Sequence, residues 1–112
     1  TASFWPVALA GTVVAAAMLE QVMGLNWEVL VTSRVFAPLG MTSAGFGAPG
    51  TAGTLDQPRG HSLTAGQYAP IEPGPDADSP AALGPAGRVH MTLADYATFG
   101  LATICGSIRR EP

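Results

Sequence analysis

The sequence contains no lysine, and its five basic residues are all arginines. This absence excludes from the chain any mechanism that needs a lysine general base or a lysine Schiff base. Charged residues make up only 12% of the 112 residues, whereas about a quarter is usual for a soluble globular domain. The net charge of -3 comes with no basic stripe, so nothing is present to neutralise phosphates and we expect no nucleic-acid partner.

Cysteine and long apolar runs are also scarce. The single cysteine, Cys105, excludes an internal disulfide and is predicted to be a buried, unreactive thiol. The longest uncharged apolar run, residues 7–19, is shorter than the roughly 20 residues that cross a bilayer. Residues 1–6 lack the basic flank of a signal peptide. We therefore predict no membrane span, and the compartment stays open. Because no initiator methionine is present, we expect the true N-terminus upstream.

The first predicted helix covers residues 11–23, which are rich in alanine and other strong helix formers. Gly24 follows at the position where a left-handed C-cap is expected. The first charge of this stretch is Glu20. A helix with so little polar surface is predicted to be buried on most sides.

A second helix is predicted over residues 27–36, with Asn26 as its N-cap and Pro38 forcing its end. Only a very short loop separates it from the first helix. The sequence therefore predicts a helical hairpin over residues 1–41.

Residues 42–90 contain 16 glycines and prolines in 49 positions, which excludes long helices and central strands. Large apolar residues nevertheless recur along this segment. A long ordered loop excursion around an active site is favoured over a flexible linker, and the two stay as alternatives. The apolar residues expected to anchor the segment are Phe46, Leu55, Tyr68, Ile71 and Leu83.

A third helix is predicted within residues 91–108. Thr92 is its N-cap, Asp95 stands at the third position as an acidic version of the capping box, and the helix ends near Gly106. One apolar face of this helix is formed by Leu93, Tyr96, Ala97, Leu101 and Ile104.

Motif matches in the chain are weak. No Gly-x-Ser-x-Gly elbow surrounds any serine, so a Ser, His and Asp set drawn from the loop segment is interpreted as coincidence. The glycines of residues 45–50 are spaced like a phosphate-binding loop, but they follow a helix rather than a strand. We predict no catalytic, cofactor-binding or metal-binding residue in the chain. The residues of the rejected triad and metal sites are His61, Ser62, Asp76, Asp78, Ser79 and His90.

Two separated blocks carry a family resemblance. The first is the buried-helix stretch that leads into Phe-Ala-Pro-Leu-Gly-Met at residues 36–41, and the second is Gly-Pro-Ala-Gly-Arg-Val-His-Met-Thr followed by the capped helix with Asp95 and Phe99. In this order they resemble the β-lactamase-related serine hydrolases, the group that includes class C β-lactamases, D-alanyl-D-alanine carboxypeptidases and related esterases. The resemblance covers roughly residues 7–101 and implies an α-rich fragment of an α/β (α+β) β-lactamase-like fold, with about three helices and a long irregular loop segment.

The catalytic motifs of that family are missing from this chain. The family uses a serine followed three positions later by a lysine, a Tyr-x-Asn motif, and a Lys-Thr-Gly or His-x-Gly strand. None is present, and Val7, Ala8 and Leu9 stand where the Tyr-x-Asn is expected. Three apolar side chains cannot relay a proton, so even the intact protein could be a non-catalytic relative.

The resemblance implies that residues 1–112 are one partial domain: the hairpin of residues 1–41, cleft-flanking loops of residues 42–90, and the capped helix of residues 91–108. We expect an internal fragment that walls the cleft of a serine hydrolase acting on an ester or amide. The nucleophile would lie upstream, the partner would be the remainder of the parent domain, and no cofactor is implied. The alternative function is a non-catalytic binding or interaction module derived from the same fold.

Overall fold

The computed structural model describes residues 4–106. The chain is α-rich, as predicted, and it also contains two small strand pairs. The helices are α1 (Phe4–Met23), α2 (Trp27–Val31), a π-helical turn (Thr32–Phe36), α3 (Ala37–Leu39), a 3-10 turn (Ala81–Leu83), α4 (Gly84–Gly87) and α5 (Leu93–Cys105). The strands are β1 (Gly45–Phe46), β2 (His61–Thr64), β3 (Gln67–Pro70) and β4 (Val89–His90).

Helix α1 begins at Phe4 rather than at the predicted residue 11. Pro6 falls in the first turn, where its missing N–H leaves no helical hydrogen bond unmade. The helix ends as predicted, because Gly24 adopts the left-handed conformation with φ of 66°. The Glu20 carboxylate accepts a 2.6 Å hydrogen bond from the Trp27 N–H and so fixes the short link to α2.

The prediction that α1 is buried on most sides is wrong for the described chain. Among its described side chains only Ala16 is buried, since α1 contacts only α2, α4 and the 3-10 turn extensively. No single helix among residues 4–106 is long and apolar enough to cross a membrane. Residues 7–23 and 27–39 reach that length and composition only when they are taken together as a bent pair. The large exposed side chains of α1 are Val7, Leu9, Val14, Met18, Leu19, Val22 and Met23.

The second predicted helix is real but does not stop before Pro38. It begins at the predicted N-cap, where Asn26 Oδ1 accepts the Val29 N–H at 3.0 Å, and it runs through the π-helical turn into α3. That wider turn, with the Ala37 N–H bonded to the Thr32 carbonyl, makes room for the proline ring one residue later.

The end of α3 is a Schellman motif. Gly40 is left-handed with φ of 66°, its N–H bonds to Ala37, and the Met41 N–H bonds to the Phe36 carbonyl at 2.9 Å. The axes of α1 and the second helix differ by 82°. The predicted antiparallel hairpin is therefore a corner, because the Glu20 contact holds the link in a sharp bend.

The strands of residues 42–90 are short and antiparallel. β1 pairs with β4, which places Gly45 opposite His90. β2 and β3 form a hairpin that was not predicted, joined by the two-residue turn of Ala65 and Gly66 with φ of 51° and 76°. Two successive positive φ values are those of a type I′ turn, which matches the right-handed twist of the strands.

The core is small, and α1, the second helix and α5 each contribute buried residues to it. Its buried apolar residues are Ala16, Leu30, Phe36, Met41 and Ala102. Of the predicted loop anchors, Phe46 packs its ring 5.3 Å from Trp27 and 5.7 Å from Phe36. Leu55 and Tyr68, by contrast, are 89% and 76% exposed, and contact little of the described chain.

Helix α5 forms as predicted and ends at Gly106, which is left-handed with φ of 72°. Its predicted apolar face is largely exposed, because only Ala102 of this helix is buried. Cys105 is exposed, so its prediction as a buried thiol is wrong. The cysteine is the last residue of α5.

Candidate functional site

A polar cluster joins the turn after α3 to the start of α5. The Ser43 hydroxyl donates to Asp95 Oδ2 at 2.5 Å, and the Ser43 N–H donates to the same oxygen at 2.8 Å. The Thr92 N–H donates to Ser43 Oγ at 3.0 Å, and the two hydroxyl oxygens are 2.9 Å apart. We call Ser43, Thr92 and Asp95 the clasp, because they fasten two segments almost fifty residues apart in sequence.

The clasp replaces half of the predicted capping box. Thr92 Oγ1 accepts the Asp95 N–H at 3.3 Å, as the N-cap prediction requires. The Asp95 carboxylate does not turn back to the Thr92 N–H, however, and bonds to Ser43 instead. A carboxylate in the first turn also complements the positive end of the α5 dipole.

The chemistry of the clasp is structural rather than nucleophilic. The one proton of the Ser43 hydroxyl is donated to Asp95, and the Thr92 N–H occupies a lone pair of the same oxygen. A carboxylate is too weak a base to deprotonate a serine without further activation. Ser43 is therefore held as a linking group with its hydrogen-bonding capacity largely used.

His90 lies beside the clasp at the end of β4. Its Nδ1–H donates to the Gly47 carbonyl at 2.7 Å, since a carbonyl oxygen can only accept. The rest of the ring covers the backbone of Gly45, so that a Cβ atom there would lie 2.6 Å from His90 Nε2. The pairing of β1 with β4 therefore depends on glycine at residue 45.

Two cavities flank His90. One, of about 330 Å³, lies next to the clasp and is lined by Ser43, Pro49, Gln57, Pro58, His90, Met91 and Thr92. The other, of about 250 Å³, lies beneath residues 47–60 and is lined also by Ile71, Pro73, Ala77, Asp78 and Val89. The two cavities share Pro49, Pro58 and His90 as lining residues.

An ion pair and hydrogen bonds hold the loop that contributes Arg59 to the second cavity. Arg59 Nη1 forms an ion pair with Glu72 Oε1, and Arg59 Nη2 donates to the Thr54 carbonyl at 2.5 Å. Glu72 also accepts the Gly53 N–H at 3.3 Å. That N–H and then Arg59 hold the pKa of the Glu72 carboxyl below its usual range.

The structure does not assemble a triad from the residues considered in the sequence. Within residues 4–106 no hydrogen bond joins a serine to a histidine. His61 and Ser62 lie on exposed β2. The Ser79 N–H donates to Asp78 Oδ1 at 2.7 Å, and Asp78 Oδ2 lies 4.0 Å from Arg88 Nε. The described residues also contain no group of three or more His, Cys, Asp or Glu side chains that could hold a metal ion.

Residues 7–9, which stand where the Tyr-x-Asn motif was expected, lie inside α1 and are exposed. They thus present only apolar side chains at that position. The glycines of residues 45–50 run from β1 into a loop rather than into a helix. Their backbone therefore lacks the helix N-terminus that a phosphate-binding loop uses.

Sequence reasoning missed Ser43 as a partner of the capped helix. A serine just after the Gly-Met end of a helix gives no local sign of its partner, because the two halves of the clasp are linked only in the folded chain. His90 was considered in the sequence only as a member of the rejected triad and metal sites, whereas in the structure its ring packs on Gly45 and bonds to Gly47.

Comparison with protein families identifies a family to which the chain is similar. A family model described as Beta-lactamase matches residues 8–111, which is nearly the whole chain. The chain matches no curated protein and no solved structure. The matched region includes both blocks of the resemblance and every residue of the clasp.

Proposed function

The chain belongs to the beta-lactamase family, and on that premise we propose that it forms the cleft wall of a β-lactamase-related serine hydrolase. The proposed whole protein attacks an ester or amide carbonyl with a serine that lies outside this chain. The acyl-enzyme is then hydrolysed by water. That chemistry requires no cofactor, and this chain would supply shape rather than the nucleophile.

The clasp is the observation that carries the proposal. It joins the two sequence blocks of the resemblance, the turn at residues 36–41 and the Thr-capped helix α5, through Ser43 and Asp95. The intervening 48 positions, residues 44–91, are thereby tied at both ends and form one excursion that encloses the two cavities next to His90. A loop excursion anchored in this way is a common means of lining a binding cleft.

The absence of an activated nucleophile supports a wall role. The chain has no lysine, and in its described part the hydroxyl of Ser43 is engaged in the clasp. Residues 7–9 add no polar group at the expected position of Tyr-x-Asn. None of these side chains can take the proton of an attacking serine.

The large exposed surface of the chain supports the proposal that its partner is the remainder of the parent domain. The chain exposes 8215 Å², whereas a self-contained protein of its mass exposes about 5,800 Å². The excess of about 2,400 Å² equals the area that one side of a large obligate interface buries. The exposed faces of α1 and α5 provide much of this surface, and include Val14, Met18 and Leu101.

Hydrolysis assays test the proposal directly. We expect the 112-residue chain to hydrolyse neither a chromogenic ester nor a chromogenic β-lactam above background, and the intact protein to hydrolyse at least one of them. A fluorophosphonate probe, which labels activated serines, should modify the intact protein outside this chain. Labelling that disappears on Ser43→Ala or on the matched variant Ser62→Ala would refute the proposal.

A second readout addresses the wall role itself. In the intact protein, His90→Ala should change KM differently for short and long acyl esters while kcat stays within about tenfold, because the ring lines both cavities. A loss of kcat by a factor of a thousand or more would instead assign His90 to the chemistry. If the intact protein neither hydrolyses these substrates nor reacts with the probe, the non-catalytic interaction module becomes the better explanation.

A further inference from the structure

Residues 50–60, which we call the strap, contribute both of their ends to the lining of the 250 Å³ cavity. Gly50 lines the cavity at one end of the strap and Pro58, Arg59 and Gly60 line it at the other, together with Ile71, Pro73 and Ala77 from outside the strap. The strap contains no helix and no strand. Two backbone hydrogen bonds contribute to its ordered path, from the Thr54 N–H to the Thr51 carbonyl at 3.2 Å and from the Ile71 N–H to the Gly60 carbonyl at 2.8 Å. The other polar contacts of the strap involve side chains.

Apolar packing contributes little to holding the strap. Residues 51–58 are all exposed, and the large side chain of Leu55 is 89% exposed. At the two ends of the strap the chain approaches its neighbours, since a Cβ atom at Gly50 would lie 2.9 Å from Pro73 Cγ and one at Gly60 would lie 3.7 Å from Ile71 Cδ1. A segment with so few buried apolar contacts opens at low free-energy cost.

Within residues 4–106, three polar contacts join the strap to residues outside it: the Ile71 N–H donates to the Gly60 carbonyl at the end of the strap, and the Glu72 carboxylate makes the other two. Glu72 accepts from Gly53 at one point of the strap and pairs with Arg59 at another. Further bonds lie within the strap, where Asp56 Oδ1 accepts the Thr51 N–H at 3.0 Å. These internal bonds keep the strap folded on itself but do not attach it to the body.

The burial of the two charges is unequal. The Arg59 side chain is only 9% exposed, whereas that of Glu72 is 64% exposed. Arg59 Nε has no hydrogen-bond partner in the described structure. A buried cation is tolerated only while an anion compensates it, and here that anion lies at the surface, where solvent protons reach it.

We propose that the strap is an openable cover of the 250 Å³ cavity, and that Glu72 keeps it closed by compensating the buried charge of Arg59. Neutralising Glu72 leaves Arg59 buried without a counter-ion. The guanidinium then moves into solvent and carries residues 51–59 with it, while Gly60 stays bonded to Ile71. Strap opening exposes the cavity while the clasp and the helices stay in place.

The other charged groups near the cavity do not replace Glu72. Asp56 is occupied by the Thr51 N–H within the strap. On the far wall, Asp78 lies 4.0 Å from Arg88, and His90 donates to Gly47. None of the three carboxyl or imidazole groups bonds to Arg59.

Hydrogen exchange of the intact protein tests the proposal. In Glu72→Gln the amides of residues 51–60 should exchange at least about fivefold faster, the factor that corresponds to losing a surface-screened ion pair. Glu28→Gln, which removes an acidic charge from α2, is the matched control and should leave those rates unchanged. The amides of α1 and α5 should be unaffected in both variants.

A thiol reagent then tests whether the cavity opens. In a protein carrying Ala77→Cys and Cys105→Ser, labelling of residue 77 should accelerate when Glu72→Gln is added and not when Glu28→Gln is added. Adding Arg59→Met to Glu72→Gln removes the uncompensated charge and should restore slow exchange and slow labelling. Unchanged rates in Glu72→Gln, acceleration throughout the chain, or no recovery in the double variant would each overturn the proposal.

Discussion

Replacing Asp95 with alanine is the change we expect to weaken the fold most. Asp95 Oδ2 accepts both the N–H and the hydroxyl of Ser43, at 2.8 and 2.5 Å. The carboxylate is partly buried, and hydrogen bonds to a charged group contribute about 1.5–3 kcal/mol each. Because the two bonds share one oxygen and are partly screened, we expect Asp95→Ala to lower the free energy of unfolding by about 2–4 kcal/mol. Typical domains are stable by only about 5–15 kcal/mol.

The assay is denaturant unfolding of the intact protein, followed by tryptophan fluorescence. Asp76→Ala is the matched control, since Asp76 is exposed and forms no hydrogen bond or ion pair in the described structure; it should cost less than about 0.5 kcal/mol. Ser43→Ala removes the hydroxyl but keeps the N–H, so it should cost about half as much as Asp95→Ala.

A double-mutant cycle of Ser43→Ala and Asp95→Ala isolates the clasp itself. The coupling energy should reach about 1–2 kcal/mol, as expected for residues in one hydrogen-bond network. If Asp95→Ala and Asp76→Ala are equally mild, or if the coupling is zero, then the clasp does not fasten α5 to the turn after α3. The argument for the cleft wall would then lose its main support.

Three further predictions concern single positions. Gly45→Ala should destabilise the protein by about 1–3 kcal/mol, because the new methyl would meet the His90 ring at 2.6 Å; adding His90→Ala should recover part of that loss in the same unfolding assay. Ala65→Asn should slow hydrogen exchange across the β2 and β3 hairpin, since Ala65 has φ of 51° and asparagine tolerates this conformation better; faster exchange would contradict the type I′ assignment. The pKa of the Glu72 carboxyl is lowered in the folded protein. Glu72 therefore stabilises the strap fully at any pH above the ordinary glutamate pKa of about 4.3, and this stabilisation is lost as the pH falls through the lowered pKa. Exchange of the strap amides, corrected for the intrinsic effect of pH, should accordingly be steady from about pH 5 to 8 and accelerate in stronger acid, whereas acceleration already at pH 6 would contradict this assignment.

Local rules in the sequence determined where the first and last helices end. Gly24 and Gly106 are left-handed in the structure with φ of 66° and 72°, and only residues with little steric penalty adopt that conformation readily. The caps Asn26 and Thr92 follow the same logic, because their oxygens satisfy N–H groups a few residues away. The family resemblance was also readable from sequence, since it rests on the residues themselves.

Tertiary structure decided everything that joins distant segments. The contact of Ser43 with Asp95 and the packing of His90 on Gly45 link residues more than forty positions apart, and no periodicity or spacing reports such pairs. The burial of α1 and Cys105 was misjudged from their apolar composition. An apolar side chain tends to be buried, but composition does not tell whether another part of the described chain packs against it. The strap was unreadable for the same reason, since the opposite charges of Arg59 and Glu72 meet only after residues 50–60 fold back over the cavity.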